Sequence, residues 1–405
     1  MPVCAFSRRE ALFQYAKFDS KSLKMLHPTS RRALLPFFIL FFCIHTLAQN
    51  KTRNVFNNAS VYTGIEVGSK GVKMSIIEIG KDAQVSGAFN ILKDTSVNTD
   101  FISFTSPTFS ATLQGFVGLY NLALREYKIP ARKIFTVISS GVKMQADKDQ
   151  KQEWITHLID SFKLLTNEPQ RKVDIVDVEM EAKLSHLGIV PASRRYNTFL
   201  LDIGSGNTKG GFFPYENNNQ FRLFQLNWGT KSMANATDKK CEGDNSLDNY
   251  TKQLNRLLAT IENSELIYSI NASGAYPASD NIAFSGGIAW AVATMTHPEM
   301  LDNPVVTVTF EDVRRFADRL VENFKELSPA ALASPIIGVA DRKAATAEVA
   351  RVQKVFDQRS LIAGTGLLLR IMRQFESVYT SKNYYLIKNG QVGWVSAYVD
   401  ETIAK

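Results

Sequence analysis

The sequence predicts an α/β protein made of two similarly built domains with a cleft between them. The chain has 405 residues with 45% hydrophobic content, which is enough for about two or three domains with large cores. Apolar, strand-like runs alternate with segments of helical period. In addition, one strand–turn–strand pattern occurs twice, in residues 65–73 and 201–209. This repeat indicates a duplicated architecture.

The repeated pattern is a tight turn between an acid and a returning strand. Residues 65–73 read IEVGSKGVK and residues 201–209 read LDIGSGNTK. The alignment pairs Glu66 with Asp202, Gly68 with Gly204 and Ser69 with Ser205. Such a turn lets backbone N–H groups and a hydroxyl approach phosphate oxygens, while a nearby carboxylate can hold a divalent cation. Two facing turns would grip one phosphate chain from both sides, although either turn alone is compatible with a purely structural role.

Residues 1–48 have the pattern of a secretory signal peptide. Two arginines precede an apolar stretch from Ala33 to Cys43, and small residues predict cleavage near Ala48. The stretch is short for a membrane span. We therefore expect an exported protein, periplasmic or secreted, with no stable membrane anchor after cleavage; a retained anchor is the alternative. Met25 would give a basic region of normal length, in which case residues 1–24 are not translated.

The positive charge is concentrated in the same N-terminal segment. Seven basic and two acidic residues fall within residues 1–48, so +5 of the formal net charge of +8 lies there and +3 in the remainder. This mild balance gives no compositional reason to expect nucleic-acid binding. Cleavage would leave Cys241 as the single cysteine of the sequence. Neither an internal disulfide nor a cysteine metal site is then expected.

Five segments in order resemble the exopolyphosphatase / guanosine-pentaphosphate phosphohydrolase family. They are the two turns, VEMEAKLSHLGI at 178–189, FSGGIAWAVA at 284–293 and LIAGTGLLLRIM at 361–372. The resemblance runs from about residue 61 to about residue 375. It implies the actin-like ATPase (ribonuclease H-like) fold shared with sugar kinases and Hsp70, with two duplicated domains and an interdomain cleft. We expect the first domain at 61–195 and the second at 196–405.

The resemblance also implies roles for individual residues. Glu181 matches the family's catalytic glutamate, the general base for the attacking water; a solvated charge at a helix start is the alternative. Asp202 matches a metal-associated aspartate and Glu66 its counterpart in the first turn, so Mg²⁺ is the implied cofactor. The implied phosphate-binding residues are Gly68, Ser69, Lys70, Ser139, Ser140, Lys143, Gly204, Ser205, Gly206, Asn207, Thr208, Lys209, Gly286 and Gly287. For the last two, a turn that needs small residues for packing is the alternative.

Five positions depart from the family pattern, among them Lys143 in place of an arginine and Gly71 in place of a serine. Glu66 replaces an aspartate, and its additional methylene weakens direct contact with a metal. Lys209 replaces a glutamate, which reverses the charge, and Lys70 replaces an asparagine. Either these lysines neutralise phosphate and partly replace the cation, or the hydrolytic machinery has decayed.

The expected function is release of terminal phosphate from inorganic polyphosphate in the interdomain cleft. Polyphosphate is favoured over guanosine pentaphosphate because an exported enzyme would rarely meet a cytosolic alarmone. The alternative is a catalytically impaired periplasmic protein that binds phosphate or another polyanion, or acts as an interaction protein, on the same fold. An ATP-using kinase is disfavoured by the scarcity of ATP outside the cytoplasm. Homodimerisation is left open.

Overall fold

The structure is a computed structural model, and it describes six stretches of the chain: residues 60–80, 89–214, 216–217, 220–376, 381–388 and 390–403. The predicted signal peptide and the two cysteines within it lie outside these stretches. Across the described residues, no helix is both long enough and apolar enough to cross a membrane.

The first lobe is built on a five-stranded sheet in the order β3-β2-β1-β4-β5. Its strands are β1 (Ser60–Gly68), β2 (Gly71–Ile79), β3 (Phe89–Asn98), β4 (Ile134–Ile138) and β5 (Val173–Ile175). Strand β2 pairs antiparallel with both β1 and β3, whereas β4 and β5 run parallel to β1. The connecting helices are α1 (Ser106–Asn121), α2 (Ser140–Asp149) and α3 (Gln152–Thr166), and α4 (Val178–Ile189) follows β5.

The second lobe repeats this plan on a six-stranded sheet. Its strands are β6 (Thr198–Ile203), β7 (Thr208–Phe212), β8 (Arg222–Leu226), β9 (Asn281–Ser285), β10 (Val305–Val308) and β11 (Asn383–Ile387). The order β8-β7-β6-β9-β11 matches that of the first sheet, with the same antiparallel and parallel pairings, and β10 adds an outer strand. The predicted duplication of architecture is therefore confirmed by strand topology.

The helices of the second lobe are α5 (Thr230–Lys240), α6 (Leu247–Ile261), α7 (Ile267–Ser273), α8 (Ala275–Ala278), α9 (Gly287–Thr296), α10 (Phe310–Glu322), α11 (Pro329–Ala333), α12 (Val339–Val355) and α13 (Gln358–Glu376). One further helix, α14 (Gly390–Ile403), packs on the first sheet. In α13, Leu367, Leu368, Ile371 and Met372 are all buried in the core of this lobe.

The two lobes exchange their last helices. Helix α4 follows the first sheet but packs on β7 of the second, while α14 follows the second sheet and packs on β1 and β2 of the first. The two helices also pack on each other at Gly188, where a Cβ would lie 1.9 Å from the carbonyl oxygen of Gly393. Glycine is required there because the backbones touch. This exchange brings residues of α4 against the second glycine turn.

Candidate functional site

Both predicted glycine turns lie at the junction of the two lobes, next to α2. A Cβ on Gly141, in the first turn of α2, would lie 2.9 Å from Ser69 Oγ, so the first turn is adjacent to that helix end. Asn207 of the second turn donates from Nδ2 to Met144 Sδ at 3.6 Å, a weak contact from the other lobe. The N-terminal half of α2 therefore adjoins a turn from each lobe.

Glu181 is buried at this junction, in the first turn of α4. The helix begins where the Asp177 side chain accepts a hydrogen bond from the Met180 N–H at 2.7 Å, and acids in a first turn suit the helix dipole. One carboxylate oxygen of Glu181 accepts from the backbone N–H of Ser140 at 2.7 Å. The other lies 2.7 Å from Lys209 Nζ, which comes from the second lobe. The alternative of a solvated surface charge is therefore wrong for Glu181.

The ion pair keeps Glu181 ionised. Burial raises the pKa of Glu181, but the Lys209 ammonium and the Ser140 N–H outweigh burial, so the pKa lies below its ordinary value. For Lys209 the balance runs the other way. Burial lowers its pKa, but Glu181 and Asp202 outweigh that effect, and the pKa is raised well above the ordinary lysine value. Both groups are therefore charged at neutral pH.

Each hairpin carries an acid opposite a lysine. In the first, Glu66 is in register with Lys73, and Oε2 lies 3.8 Å from Lys73 Nζ. In the second, Asp202 is in register with Lys209, and Oδ2 lies 3.8 Å from Lys209 Nζ. Burial raises the pKa of Glu66, and Lys73 offsets part of this effect. We call Glu66, Lys73, Glu181, Asp202 and Lys209 the carboxylate–lysine cluster.

Two polar atoms beside Glu181 are candidates for ligand contact. Ser140 Oγ, which lies near the Glu181 carboxylate, and Glu66 Oε2, which lies 3.8 Å from Lys73 Nζ, are buried and lack a hydrogen bond of ordinary geometry within the described part of the chain. A buried polar atom without a partner is costly, and such atoms frequently meet a ligand, ion or water. Ser140 also begins α2, and a helix N terminus favours anions.

The second turn is fixed by the start of α5. The backbone N–H of Thr230 donates to the Gly204 carbonyl at 2.9 Å, and that of Lys231 donates to the Ser205 carbonyl at 2.8 Å. A Cβ on Gly229 would lie 2.5 Å from the Gly204 oxygen, so no side chain fits there. The helix thereby satisfies carbonyl oxygens of the turn and holds its shape.

Lysines from opposite lobes approach each other beside the two turns. Lys70 of the first turn forms an ion pair with Asp100. Burial lowers the pKa of Lys231, and the nearby Lys70 ammonium lowers it further. Two ammonium groups held close together favour an anion between or beside them.

The packing of the strand-to-helix turn requires glycine at position 286 and leaves little room for a side chain at Gly287. Gly286 has φ of 93°, and a Cβ there would lie 2.3 Å from the Ile203 carbonyl oxygen. A Cβ on Gly287 would lie 2.9 Å from Phe356 Cζ. These contacts support the structural alternative for both glycines. The preceding residue, Ser285, donates to Asp202 Oδ1 at 3.2 Å and so orients that carboxylate.

Other predicted residues lie near the junction with different immediate partners. Ser139 is the buried residue before α2, and its N–H donates to the Val67 carbonyl at 3.0 Å. Lys143 pairs with Asp147 on the same helix at 3.0 Å, away from the cluster. The Thr208 hydroxyl donates to the Trp228 carbonyl at 2.7 Å. Gly68 is buried at the end of β1, and Gly206 is exposed.

Sequence reasoning missed three residues of the site: Lys73, Lys231 and Ser285. Lys73 had a visible signal, because the repeat aligns it with Lys209. Ser285 had a weaker one, since it stands directly before the glycine pair in FSGG. Lys231 had none, because its approach to Lys70 depends on how the lobes meet.

A divalent ion held directly by Asp202 and Glu66 does not fit this arrangement. The Lys209 ammonium lies 2.7 Å from the Glu181 carboxylate and 3.8 Å from the Asp202 carboxylate. Among the described residues, no group of three or more His, Cys, Asp or Glu side chains is arranged to hold a metal. The acids implied as metal ligands therefore face lysines in this structure.

The fold is that of solved structures of Ppx/GppA proteins. A Ppx/GppA family member from Aquifex aeolicus matches with a TM-score of 0.57 and 16% identity, covering 85% of this chain and 98% of its own. The type II variant of the Aquifex aeolicus phosphatase matches with a TM-score of 0.54 and 16% identity, covering 84% and 99%. An exopolyphosphatase from Cytophaga hutchinsonii matches with a TM-score of 0.50 and 12% identity, covering 84% and 98%.

These likenesses confirm the predicted fold class and, at the level of fold, the predicted resemblance. At such low sequence identity they bear on the fold alone. No protein-family model matches the sequence, and a search of curated proteins gives no match either.

Proposed function

We propose that the protein is a divergent Ppx/GppA-type phosphohydrolase that cleaves the terminal phosphoanhydride bond of inorganic polyphosphate. The observation that carries this proposal is the buried, ionised Glu181 carboxylate, held by the Ser140 N–H and Lys209 where the two lobes meet. An ionised carboxylate beside a helix N terminus and two glycine turns can serve as the base of a phosphoryl-transfer site.

In the proposed reaction, Glu181 takes a proton from a water molecule as the water oxygen attacks the terminal phosphorus. The bond from that phosphorus to the bridging oxygen breaks, and its electron pair leaves with the shortened chain. The N terminus of α2 and the hydroxyls of Ser69 and Ser140 face the phosphate oxygens. Lys209 shifts part of its hydrogen bonding from Glu181 to the incoming phosphate, which frees a carboxylate oxygen for the water.

Export to the periplasm or beyond belongs to the same proposal. It rests on the basic and apolar pattern of residues 1–48. Outside the cytoplasm, a phosphate chain is a more accessible substrate than a cytosolic nucleotide.

Phosphate release from polyphosphate tests the role of Glu181. We expect Glu181→Gln to lose about 100-fold or more of the wild-type rate, the usual effect of removing a general base. Glu179→Gln is the matched control, because Glu179 lies on the same helix but is exposed. A wild-type protein without phosphate release, or a Glu181→Gln variant as fast as the control, would reject the hydrolase.

A second candidate function is polyanion binding without turnover. It is favoured by the Lys209–Glu181 ion pair at 2.7 Å, which occupies the proposed base. In that case polyphosphate raises the melting temperature of the protein while no phosphate is released. Absence of both effects would exclude the two candidates together.

A further inference from the structure

The cluster repeats one charge pair in two places. In each hairpin the acid and the lysine face each other directly across the antiparallel strands, with carboxylate and ammonium 3.8 Å apart. Side chains of directly opposed residues share one face of the sheet. In both hairpins, therefore, a lysine ammonium lies next to the acid.

The second of these lysines is placed as a metal ion would be. Lys209 has a side chain only 8% exposed, lies 2.7 Å from Glu181, and feels the charges of Glu66 and Asp202 as well. Mg²⁺ binds carboxylate oxygens at about 2.0–2.1 Å and keeps a near-octahedral shell of oxygens. An ammonium placed among the same carboxylates repels Mg²⁺ and occupies the space that the ion would need.

We propose that Lys209 is the resident cation of this site and takes the place of a divalent metal. The proposal rests on the proposed function, because the ammonium would contact the oxygens of the bound phosphate chain. Lysine supplies a point charge with three N–H donors, which suits phosphate oxygens without geometric demands. Phosphate binding then requires no Mg²⁺. In the first hairpin, Lys73 lies opposite Glu66 in the same way, but it is more exposed and its interaction with the acid is weaker.

Direct binding of Mn²⁺, followed by electron paramagnetic resonance without any substrate, tests this assignment. We expect wild type to bind no Mn²⁺ stoichiometrically and Lys209→Ser to bind one ion at least about tenfold more tightly, because a buried positive charge is removed beside carboxylates. Adding Asp202→Asn to Lys209→Ser should abolish that binding. Lys172→Ser is the matched control, since Lys172 forms an exposed pair with Asp174 at 3.0 Å.

The outcomes separate this inference from the hydrolase proposal, because the Mn²⁺ measurement involves no turnover. Stoichiometric Mn²⁺ binding by wild type that is lost in Asp202→Asn overturns the assignment of Lys209. A folded Lys209→Ser variant that still binds no Mn²⁺ also overturns it. If Lys209→Ser does not fold in metal-free buffer, we expect refolding in MnCl₂ but not in NaCl of equal ionic strength; failure in both overturns the assignment.

Discussion

The two hairpins share a sequence pattern and a register but differ in what covers them. In the second hairpin, α4 from the other lobe brings Glu181 onto Lys209 and leaves the lysine side chain 8% exposed. In the first, α14 brings apolar residues: a Cβ on Gly64 of β1 would lie 2.1 Å from Val395 Cγ1. Lys73 stays 35% exposed, lies 3.8 Å from Glu66, and also interacts electrostatically with Asp94.

This difference shows that the exchange of helices between the lobes can give one of two similar hairpins an environment that the other lacks. The hairpins supply similar charges, and the covering helix decides which charges are buried and paired. In this protein the acid-bearing helix lies on the second hairpin. The proposed chemistry therefore centres on the second hairpin, although the two lobes have nearly the same strand topology.

The largest expected effect comes from removing the buried lysine. Lys209→Met leaves Glu181 buried without its partner, and we expect the free energy of unfolding to fall by about 3–5 kcal/mol. Lys73→Met should cost less than about 1 kcal/mol, because its pair is partly exposed. Urea denaturation of both variants measures the contrast. Equal losses would contradict the comparison, and Lys209→Met combined with Glu181→Gln should recover most of the loss.

An intermediate effect concerns the attachment of α4 to the second hairpin. His186 donates from Nε2 to the Thr198 carbonyl at 2.9 Å, and burial lowers its pKa to about 4. The unfolded chain binds a proton near pH 6.5 while the native protein does not, so stability falls as the pH drops through this interval. We expect a loss of about 3 kcal/mol between pH 7 and pH 4 from this residue.

The measurement is urea unfolding of wild type and His186→Gln across pH 4–7. The variant retains a donor but does not titrate, so its stability should fall less steeply with decreasing pH. Parallel curves for the two proteins would show that His186 does not contribute to the pH dependence of stability. Other acids titrate in both proteins alike, and the difference between the curves isolates the imidazole.

The smallest expected effect distinguishes the two acids. Burial raises the pKa of Glu66 above its value in the unfolded chain, so ionising this residue lowers the free energy of unfolding as the pH rises. Between pH 5 and pH 8, the stability of Glu66→Gln should therefore increase relative to that of wild type. The lowered pKa of Glu181 has the opposite sign and acts at lower pH: wild type gains stability as the pH rises towards the unfolded value of 4.5, so Glu181→Gln should fall behind wild type between about pH 3 and pH 5. Chemical denaturation across each of the two pH intervals checks both. Slopes of the same sign would contradict the assigned environments.

Several features of the site were predictable from local sequence. The repeated acid–glycine–serine turns identified both hairpins, and the acid at position 181 identified the segment that reaches them. The alignment also contained Lys73, whose partnership with Glu66 follows from register alone. By contrast, the structure supports a packing role for Gly286 and Gly287 rather than the expected phosphate contact. Sequence could not separate the two roles, because glycines that bind phosphate and glycines that permit close packing look alike.

By itself, the sequence determined the two hairpins, their register and the acid–lysine pairs. Short turns, of two residues (69–70) in the first hairpin and four (204–207) in the second, fix the alignment of the apolar strands, and that alignment places each acid opposite its lysine. The tertiary structure alone decided which pair is buried and which acid completes it. Contact between Glu181 and Lys209 requires α4 to cross to the other lobe, and that crossing depends on backbone packing at Gly188 and Gly393, which no local pattern encodes.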